Sequence, residues 1–217
     1  MEVILMKELL EANDKLAEEN RAYFSDRHIL AVNLMGAPGS GKTTLISAVA
    51  RELPDLRIGV IEGDIASSID AENLEKQGIR SSQINTCGEC HLDSHVIREG
   101  ADQLDLKDAI VFIENVGNLI CPAEFDLGES VRLLAASVPE GDDKPFKYVP
   151  MFSYIDAVAL TKCDLKDAVG FDTGNFLKGL RALSKAPVFE VSLKKGTAPN
   201  GAAEVAAYLK KKYEEMK

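Results

Sequence analysis

Eight residues near the start of the chain have the types and spacing of a phosphate-binding loop. Residues 36–43 read Gly-Ala-Pro-Gly-Ser-Gly-Lys-Thr, which fits G-x-x-x-x-G-K-[ST] at every fixed position. In such a P-loop, backbone N–H groups surround the β-phosphate, the lysine supplies a cation, and the final hydroxyl binds Mg²⁺. The pattern predicts that Lys42 is catalytic and that Thr43 is a magnesium ligand. The other nucleotide contacts predicted here are Gly36, Gly39, Ser40, Gly41 and Thr44.

Acidic residues follow two later apolar runs that are typical of strands. Asp64 comes after residues 58–61, and Glu114 comes after residues 109–113. Because open α/β sheets bind ligands at the carboxyl ends of their strands, we expect both carboxylates near the P-loop. Each is predicted to be catalytic and to bind Mg²⁺ directly or through water, with capping of the next helix as the alternative role. Gly117 is expected to let the backbone approach the γ-phosphate.

A further group of polar residues is predicted to read the base. Residues 161–164, Thr-Lys-Cys-Asp, match the guanine-reading pattern N/T-K-x-D. The Asp164 carboxylate can accept both guanine N1–H and N2–H, which adenine does not offer, while the Lys162 stem lies over the base. Residues 192–194, Ser-Leu-Lys, resemble the loop that contacts guanine O6. Cys163 fills the free position as a small buried residue. The residues predicted to bind GTP in this region are Thr161, Lys162, Asp164, Ser192, Leu193 and Lys194.

The remaining cysteines and two histidines form a group that a nucleotide site does not require. Cys90, His91 and His95 lie in one short stretch, and Cys121 comes four residues after Gly117. Thiolate and imidazole ligands suit Zn²⁺ or Ni²⁺. If a helix begins near Cys90, its thiol gains thiolate character and both histidines share one helix face. We therefore predict a metal site at Cys90, His91 and Cys121, with His95 as either a further ligand or a surface helix residue.

The composition is that of an ordinary soluble globular chain. Its 217 residues are 46% hydrophobic and 28% charged, with a formal net charge of -10. Lysine and arginine are scattered, which argues against nucleic acid and anionic membranes as partners. The first residues carry charges where a secretory signal needs an apolar core, and no apolar run reaches about 18 residues. We therefore expect a cytoplasmic protein whose four cysteines are not structural disulfides.

Apolar runs alternate with helix-length segments along the chain. This alternation predicts an α/β, three-layer P-loop NTPase fold with a mostly parallel sheet and helices on both faces. We expect residues 1–28 to form an N-terminal amphipathic helix that packs on the sheet or, alternatively, binds a partner. Residues 29–217 are predicted to form a GTPase domain with an inserted Cys/His metal site, as one domain overall. The predicted strands are residues 29–35, 58–61, 109–113, 131–138, 157–160 and 188–191.

Five stretches together form a pattern that is far more specific than a P-loop. They are residues 36–43, 62–67, 90–93, 114–128 and 140–145. On these residues the chain resembles the hydrogenase nickel-incorporation GTPases of the HypB type over most of residues 29–200. The resemblance implies a SIMIBI-type GTPase that serves [NiFe]-hydrogenase maturation with GTP, Mg²⁺, and Ni²⁺ or Zn²⁺.

The resemblance also implies partners and a shared metal site. Family members bind a metal with the residues that match Cys90, His91 and Cys121, and they pair in a GTP-dependent homodimer. Lys144 looks like the lysine that reaches the nucleotide of the partner subunit. The implied protein partners are a nickel metallochaperone of the HypA type and the hydrogenase large-subunit precursor. Because no catalytic glutamine or arginine finger is visible, we expect slow GTP turnover.

Two features depart from the family pattern. The N-terminal cysteine-rich nickel motif of some relatives is absent, as is any histidine-rich tract, so high-affinity metal storage at the N-terminus is not expected. Cys87 is an extra cysteine that either joins the metal site or forms a disulfide with Cys90 under oxidation. These two cysteines also make a C-x-x-C, which is alternatively a redox pair or half of a structural zinc site.

The nucleotide and metal residues lie close together in the sequence. Gly117 and Cys121 are separated by at most about 14 Å of extended chain. We hypothesise that GTP orders this segment and a dimer interface, and that hydrolysis releases the metal. Two other functions stay open, namely a P-loop metabolic kinase with structural cysteines and a zinc-stapled, non-catalytic interaction module. The guanine-reading loop counts against the kinase.

Overall fold

Seven strands form a single parallel sheet within residues 2–63, 74–86, 88–194 and 200–216, which the computed structural model describes. The strand order is β3-β2-β4-β1-β5-β6-β7. The strands are β1 (Ile29–Met35), β2 (Arg57–Glu62), β3 (Arg80–Gln83), β4 (Ala109–Glu114), β5 (Val131–Ser137), β6 (Ala157–Thr161) and β7 (Val188–Val191). Two predicted site residues, Asp64 and Cys87, lie outside the described residues.

Helices connect the strands and cover both faces of the sheet. They are α1 (Glu2–Asp26), α2 (Lys42–Glu52), α3 (Ser94–Leu104), α4 (Lys144–Lys147), α5 (Val149–Ser153), α6 (Lys166–Val169), α7 (Thr173–Arg181) and α8 (Ala202–Glu214). On one face, α2 and α8 pack against Leu30 and Val32 of β1. On the other face, α1 and α3 share a cluster with Ala31, while α5 and α7 share a cluster with Met35. The predicted three-layer α/β fold is confirmed.

The central strand β1 leads directly into the P-loop. All seven residues of β1 are buried, and the strand pairs with β4 on one side and β5 on the other. Such burial on both faces explains why its sequence is nearly continuously apolar. Because β2, β4 and β1 are parallel neighbours, their carboxyl ends lie at the same edge of the sheet.

The edge strand β3 is not predicted by any apolar run. Its sequence, Arg-Ser-Ser-Gln, is polar, and only Ser82 within it is buried. The strand forms because its backbone pairs with β2 from Gly59 to Glu62. Backbone pairing of this kind leaves no hydrophobic pattern in the sequence, so the other six strands are predicted and this one is missed.

Polar side chains anchor helix α1 to the segment that precedes β5. The side chain of Asn13 donates to the carbonyl of Asp126 at 2.8 Å, and that of Asn20 donates to the carbonyl of Leu127 at 3.2 Å. The guanidinium of Arg21 donates to both carboxylate oxygens of Asp126, at 2.9 and 2.8 Å. These contacts and the buried side chain of Phe24 hold the helix against the rest of the protein. None of the helices in the described residues is long and apolar enough to cross a membrane.

The Asp126 contact makes a pH-dependent contribution to stability. Burial alone would raise the pKa of Asp126, but hydrogen bonds from the Gly128 N–H and the Arg21 guanidinium bring that pKa below its ordinary value. Because the folded-state pKa is lowered, the contribution is fully present above the unfolded-state pKa of about 3.9 and is lost as the pH falls through the folded-state pKa.

We expect Asp126→Asn to weaken the pH dependence of stability as the pH falls below about 4, because the variant lacks this titrating group. Urea unfolding at several pH values gives the free energy of unfolding of the unmodified protein and of Asp126→Asn. The difference between the two free energies is expected to shrink as the pH falls. Asp102→Asn is the control, since Asp102 is exposed and pairs with Arg98 on a different part of the surface. A difference that stays constant down to pH 2 would contradict the assignment.

Candidate functional site

The P-loop has the backbone geometry of a phosphate cradle. Helix α2 begins at Lys42, directly after Gly41, which has a φ of 94°. The Lys42 ammonium lies over the loop, where it donates to the Gly36 carbonyl at 3.4 Å and to the Ala37 carbonyl at 3.5 Å. The buried hydroxyl of Ser40 has no hydrogen-bond partner among the described residues. The loop therefore presents a helix N-terminus, a cation and a hydroxyl to a polyphosphate.

Two glycines are required by close approach of the backbone. A Cβ at Gly36, where φ is 153°, would clash with the carbonyl oxygen of Ala135. A Cβ at Gly117 would lie 2.9 Å from Cγ of Pro38 in the P-loop. The loop after β4 thus packs directly on the phosphate cradle, at the position predicted to sense the γ-phosphate.

Oxygen ligands suitable for Mg²⁺ gather beside the cradle. The hydroxyl of Thr43 donates to Oε1 of Glu114 at 2.7 Å, although the two residues are 71 positions apart in the sequence. Glu62 lies directly opposite Glu114 in the β2–β4 register, and both are buried. Hydroxyl and carboxylate oxygens are the hard ligands that Mg²⁺ prefers, so the donor set fits this ion. Glu62 is not among the predicted magnesium ligands, although it is an acid at the end of a buried strand.

The predicted base-reading loop is tied to the P-loop by two hydrogen bonds. The hydroxyl of Thr161 donates to the Ser40 carbonyl at 2.6 Å, and the ammonium of Lys162 donates to the Gly39 carbonyl at 2.6 Å. Lys162 has a φ of 58°, which turns the chain sharply at the end of β6. Cys163 is buried, as predicted, and its thiol donates to the Leu160 carbonyl.

A cavity of about 270 Å³ lies between the P-loop and the base-reading loop. Its walls include Asp164 and Lys194, and a purine ring placed there would lie beside the carboxylate that is predicted to bind it. Ser192 is buried below the end of β7, and its hydroxyl has no hydrogen-bond partner among the described residues. The residues that line the cavity are Ser40, Gly41, Thr44, Thr161, Lys162, Asp164, Leu165, Leu193 and Lys194.

Lys144 lies at the start of α4 and does not line this cavity. Its ammonium is 3.6 Å from a carboxylate oxygen of Asp143 and 6.0 Å from the centre of the Tyr148 ring. Exposed apolar side chains surround this region, among them Phe146 and Val149. The arrangement leaves Lys144 on a face where a second molecule can reach it.

Two of the predicted metal ligands are in direct contact. The Sγ atoms of Cys90 and Cys121 are 2.9 Å apart, and Nδ1 of His91 is 3.7 Å from the Cys90 Sγ. The His91 ring stacks on Phe125, with the ring centres 3.8 Å apart. Within the part of the chain that the structure describes, no three Cys, His, Asp or Glu side chains already form a group able to hold a metal ion. Two thiols alone are fewer ligands than a closed zinc site uses.

The helix expected near Cys90 begins later in the chain. Asp93 caps helix α3 by accepting a hydrogen bond from the Val96 N–H at 3.0 Å, so the helix starts at Ser94. His91 therefore precedes the helix and does not share a face with His95, which instead lies 3.6 Å from Glu99. The expectation of a stabilised Cys90 thiolate is also wrong, because hydrogen bonding to the Cys121 sulfur raises the pKa of Cys90.

One residue links the thiol pair to the nucleotide side. The side-chain amide of Asn118 donates to the Cys90 carbonyl at 3.3 Å. The backbone of the same residue pairs with Gly36, at the entrance to the P-loop. Asn118 therefore connects the first glycine of the cradle with the loop that carries Cys90.

The thiol pair opens into a cavity of about 430 Å³ beside helix α1. The helix contributes apolar side chains to one wall, and the two cysteines and two histidines lie on the other. The residues that line it are Leu10, Ala12, Asn13, Leu16, Cys90, His91, Asp93, His95, Cys121, Glu124 and Phe125. The metal-binding residue types thus lie at an accessible place on the protein.

Comparison with known proteins identifies close relatives. The family model described as CobW/HypB/UreG, nucleotide-binding domain, matches residues 30–189. Hydrogenase maturation factor HypB of Rhizobium leguminosarum bv. viciae is 42% identical over 193 residues, which cover 88% of this chain and 64% of that relative. Probable hydrogenase maturation factor HypB of Methanocaldococcus jannaschii is 38% identical over 215 residues, which cover 98% of this chain and 96% of that relative. The chain thus spans less than two thirds of the first relative and nearly all of the second.

Solved structures of HypB proteins also resemble this chain. A crystal structure of hydrogenase maturation factor HypB from Archaeoglobus fulgidus has a TM-score of 0.88 at 38% identity and covers 94% of this chain and 100% of that chain. A crystal structure of HypB from Helicobacter pylori in complex with nickel has a TM-score of 0.87 at 34% identity and covers 94% of this chain and 96% of that chain. These likenesses confirm the SIMIBI-type fold implied by the sequence motifs.

Proposed function

The chain belongs to the HypB group of the CobW/HypB/UreG family, and from this premise we propose that it is a GTP-hydrolysing accessory protein that inserts nickel during [NiFe]-hydrogenase maturation. The observation that carries the proposal is the contact between its two sites. Gly117 packs against Pro38 of the P-loop, and Asn118 bonds to the loop of Cys90. A nucleotide-dependent change at Gly117 therefore reaches the thiol pair through adjacent residues.

GTP is the proposed nucleotide, with Mg²⁺ as its counterion. The P-loop amides and Lys42 would hold the phosphates, while Thr43, Glu114 and Asp64 would bind the metal ion or its water ligands. Mg²⁺ would neutralise the charge that develops on the phosphoryl oxygens. Asp164 would select guanine, because it lies in the cavity whose other wall is the P-loop. Hydrolysis by this site alone is expected to be slow.

Nickel is the proposed cargo at Cys90, His91 and Cys121, and Zn²⁺ is the alternative occupant. The two thiols of one chain already touch, but one chain's described residues do not complete a metal site. We therefore propose that a second copy completes the ligand set in a GTP-dependent homodimer. Lys144 of each subunit would reach the nucleotide of its partner. Cys87 and His95 remain candidates for additional ligands.

The proposed setting is a sequence of protein encounters. A nickel metallochaperone of the HypA type would supply the metal, and the hydrogenase large-subunit precursor would receive it. We propose that residues 29–217 act as one GTPase domain with helix α1 packed against it. Reduced cysteines are the form that the cytoplasm maintains, and we place the activity there.

The base specificity tests this proposal. We expect phosphate release from GTP and none from ATP, and we expect Asp164→Ala to weaken GTP binding roughly 100-fold or more, because two charge-assisted hydrogen bonds are lost. Asp167→Ala is the matched control, since Asp167 is exposed in the adjacent helix α6 and is not part of the cavity. Equal use of GTP and ATP would favour a kinase-like enzyme, and no turnover of either would favour a zinc-stapled interaction module.

A further inference from the structure

An asparagine stands in the middle of the apolar central strand. Asn33 is fully buried in β1, between Ala31 and Met35 on the same face of the sheet. Those neighbours belong to two different apolar clusters, so Asn33 lies where the clusters divide. Burying an amide at the centre of a sheet is costly unless both of its polar atoms are bonded. Both are bonded here, as the next contacts show.

A chain of buried hydrogen bonds runs through this residue. The Asn33 amide donates to Oε1 of Glu129 at 3.2 Å. The side-chain oxygen of Asn33 accepts a hydrogen bond from the side-chain amide of Asn115 at 3.1 Å. The side-chain oxygen of Asn115 in turn accepts a hydrogen bond from the backbone N–H of Val116 at 2.9 Å. The network thus connects Glu129, before β5, to the loop that follows β4.

Glu129 fixes the direction of the three hydrogen bonds that link it to Asn33, Asn115 and Val116. Its carboxylate also accepts from the Leu127 N–H at 2.7 Å and from the always-charged Arg132 guanidinium at 2.6 Å. An acceptor at that place requires the NH₂ group of Asn33 to face it. The Asn33 oxygen must then face Asn115, whose own oxygen is left for Val116. A single acid therefore sets the orientation of both amides.

The end of the network is the loop that contacts the P-loop. Asn115 is buried, and its backbone N–H donates to the Leu34 carbonyl at 3.1 Å. Two residues later, Gly117 lies against Pro38. A rotation of the Asn115 side chain would release Val116 and, with it, the position of Gly117 relative to the phosphate cradle.

We propose that Asn33 is a positioning residue for the γ-phosphate-sensing loop, acting through Asn115 and oriented by Glu129. This inference rests on the proposed GTPase function and deepens it. Asn33 touches no nucleotide itself. It presets the conformation of residues 115–117, so that a third phosphate finds its backbone partner already in place. GDP, which lacks that phosphate, gains nothing from the network.

The ratio of the affinity for a non-hydrolysable GTP analogue to the affinity for GDP distinguishes a positioning role of Asn33 from a purely structural one. Asn33→Leu keeps the number and branching of the heavy atoms of the side chain and removes both hydrogen bonds. We expect it to weaken binding of a non-hydrolysable GTP analogue about tenfold while changing GDP affinity less than about twofold, since one preset contact is lost. Leu104→Ala is the control, because Leu104 is buried at the C-terminal end of α3 and its truncation lowers stability by a different route.

A milder variant covers the case in which Asn33→Leu does not fold. Glu129→Gln keeps the shape of the acid but can donate as well as accept, so it no longer dictates the direction of the bonds. We expect about a threefold loss of GTP-analogue affinity relative to GDP affinity. Isothermal titration of each variant, with unfolding measured on the same samples, gives both affinities and stability.

The outcomes are distinguishable. If Asn33→Leu or Glu129→Gln lowers stability as the control does but leaves the ratio of affinities unchanged, Asn33 is structural and the inference is wrong. If the unmodified protein binds neither guanine nucleotide, the proposed function fails, and this inference fails with it. A selective loss of GTP-analogue affinity in both variants, absent from Leu104→Ala, supports positioning.

Discussion

Lys42→Ala is expected to lower the rate of GTP hydrolysis about 100- to 1,000-fold, the range seen when one preorganised charge is removed from a catalytic site. Lys42 is 6% exposed, and its ammonium donates to the carbonyl oxygens of Gly36 and Ala37 in the P-loop. In the proposed mechanism it would contact the oxygens on which negative charge develops during phosphoryl transfer. No other cation of the P-loop motif can replace it, because residues 36–43 contain a single lysine and no arginine.

Single-turnover phosphate release measures this loss directly, and it avoids confusion with slow release of product. Lys211→Ala is the matched control, since Lys211 is exposed in α8 and lies 3.8 Å from Glu215. Far-ultraviolet circular dichroism of both variants shows whether they fold. A folded Lys42→Ala protein that retains more than about a third of the normal rate would contradict the role assigned to this lysine.

Cys121→Ala is expected to reduce affinity for Ni²⁺ at least about 100-fold, because loss of a thiolate ligand exceeds the cost of removing a supporting contact. The variant also removes the hydrogen-bond partner of Cys90. Cys163→Ala is the matched control. That thiol is buried in the apolar cluster beneath α7, and burial raises its pKa, so it offers no ligand to a metal at the surface.

The same experiment tests the proposed dependence on nucleotide. Metal content and dimer fraction are measured for each protein with GDP and with a non-hydrolysable GTP analogue. We expect the unmodified protein to bind metal with different affinities in the two states, as coupling between the sites requires. Cys121→Ala protein that keeps both its metal and its dimer would overturn the shared-site proposal. Equal affinities in the two nucleotide states would overturn the switch.

The parts of the structure that local patterns describe are predictable from the sequence. The P-loop is one example, because residues 36–43 close their loop on themselves and on the helix that follows. Thr161 and Asp164 are another, since the turn after β6 depends on neighbouring residues. The strand β3 is missed because its stability comes from backbone pairing with β2 and not from an apolar pattern.

The site features that long-range contacts create are not visible in the sequence. Asn33 and Glu129 are 96 positions apart, and a lone asparagine in an apolar strand says nothing about its partner. The start of helix α3 is the opposite case, because the sequence does contain a local signal for it in the capping residue Asp93. Aspartate is a favoured capping residue, so Asp93 itself indicates a helix that starts at Ser94 and excludes His91.

The anchoring of helix α1 also has a consequence for synthesis on the ribosome. The helix is made before its anchors, because Asp126 and Leu127 follow Asn13 and Asn20 by 113 and 107 residues. Translation at about 5–20 residues per second delays those anchors by several seconds. During that interval the helix cannot reach its native position, and its apolar side is available to chaperones or to other nascent chains. Helix α1 therefore docks only after the segment that carries Asp126 and Leu127 has been made.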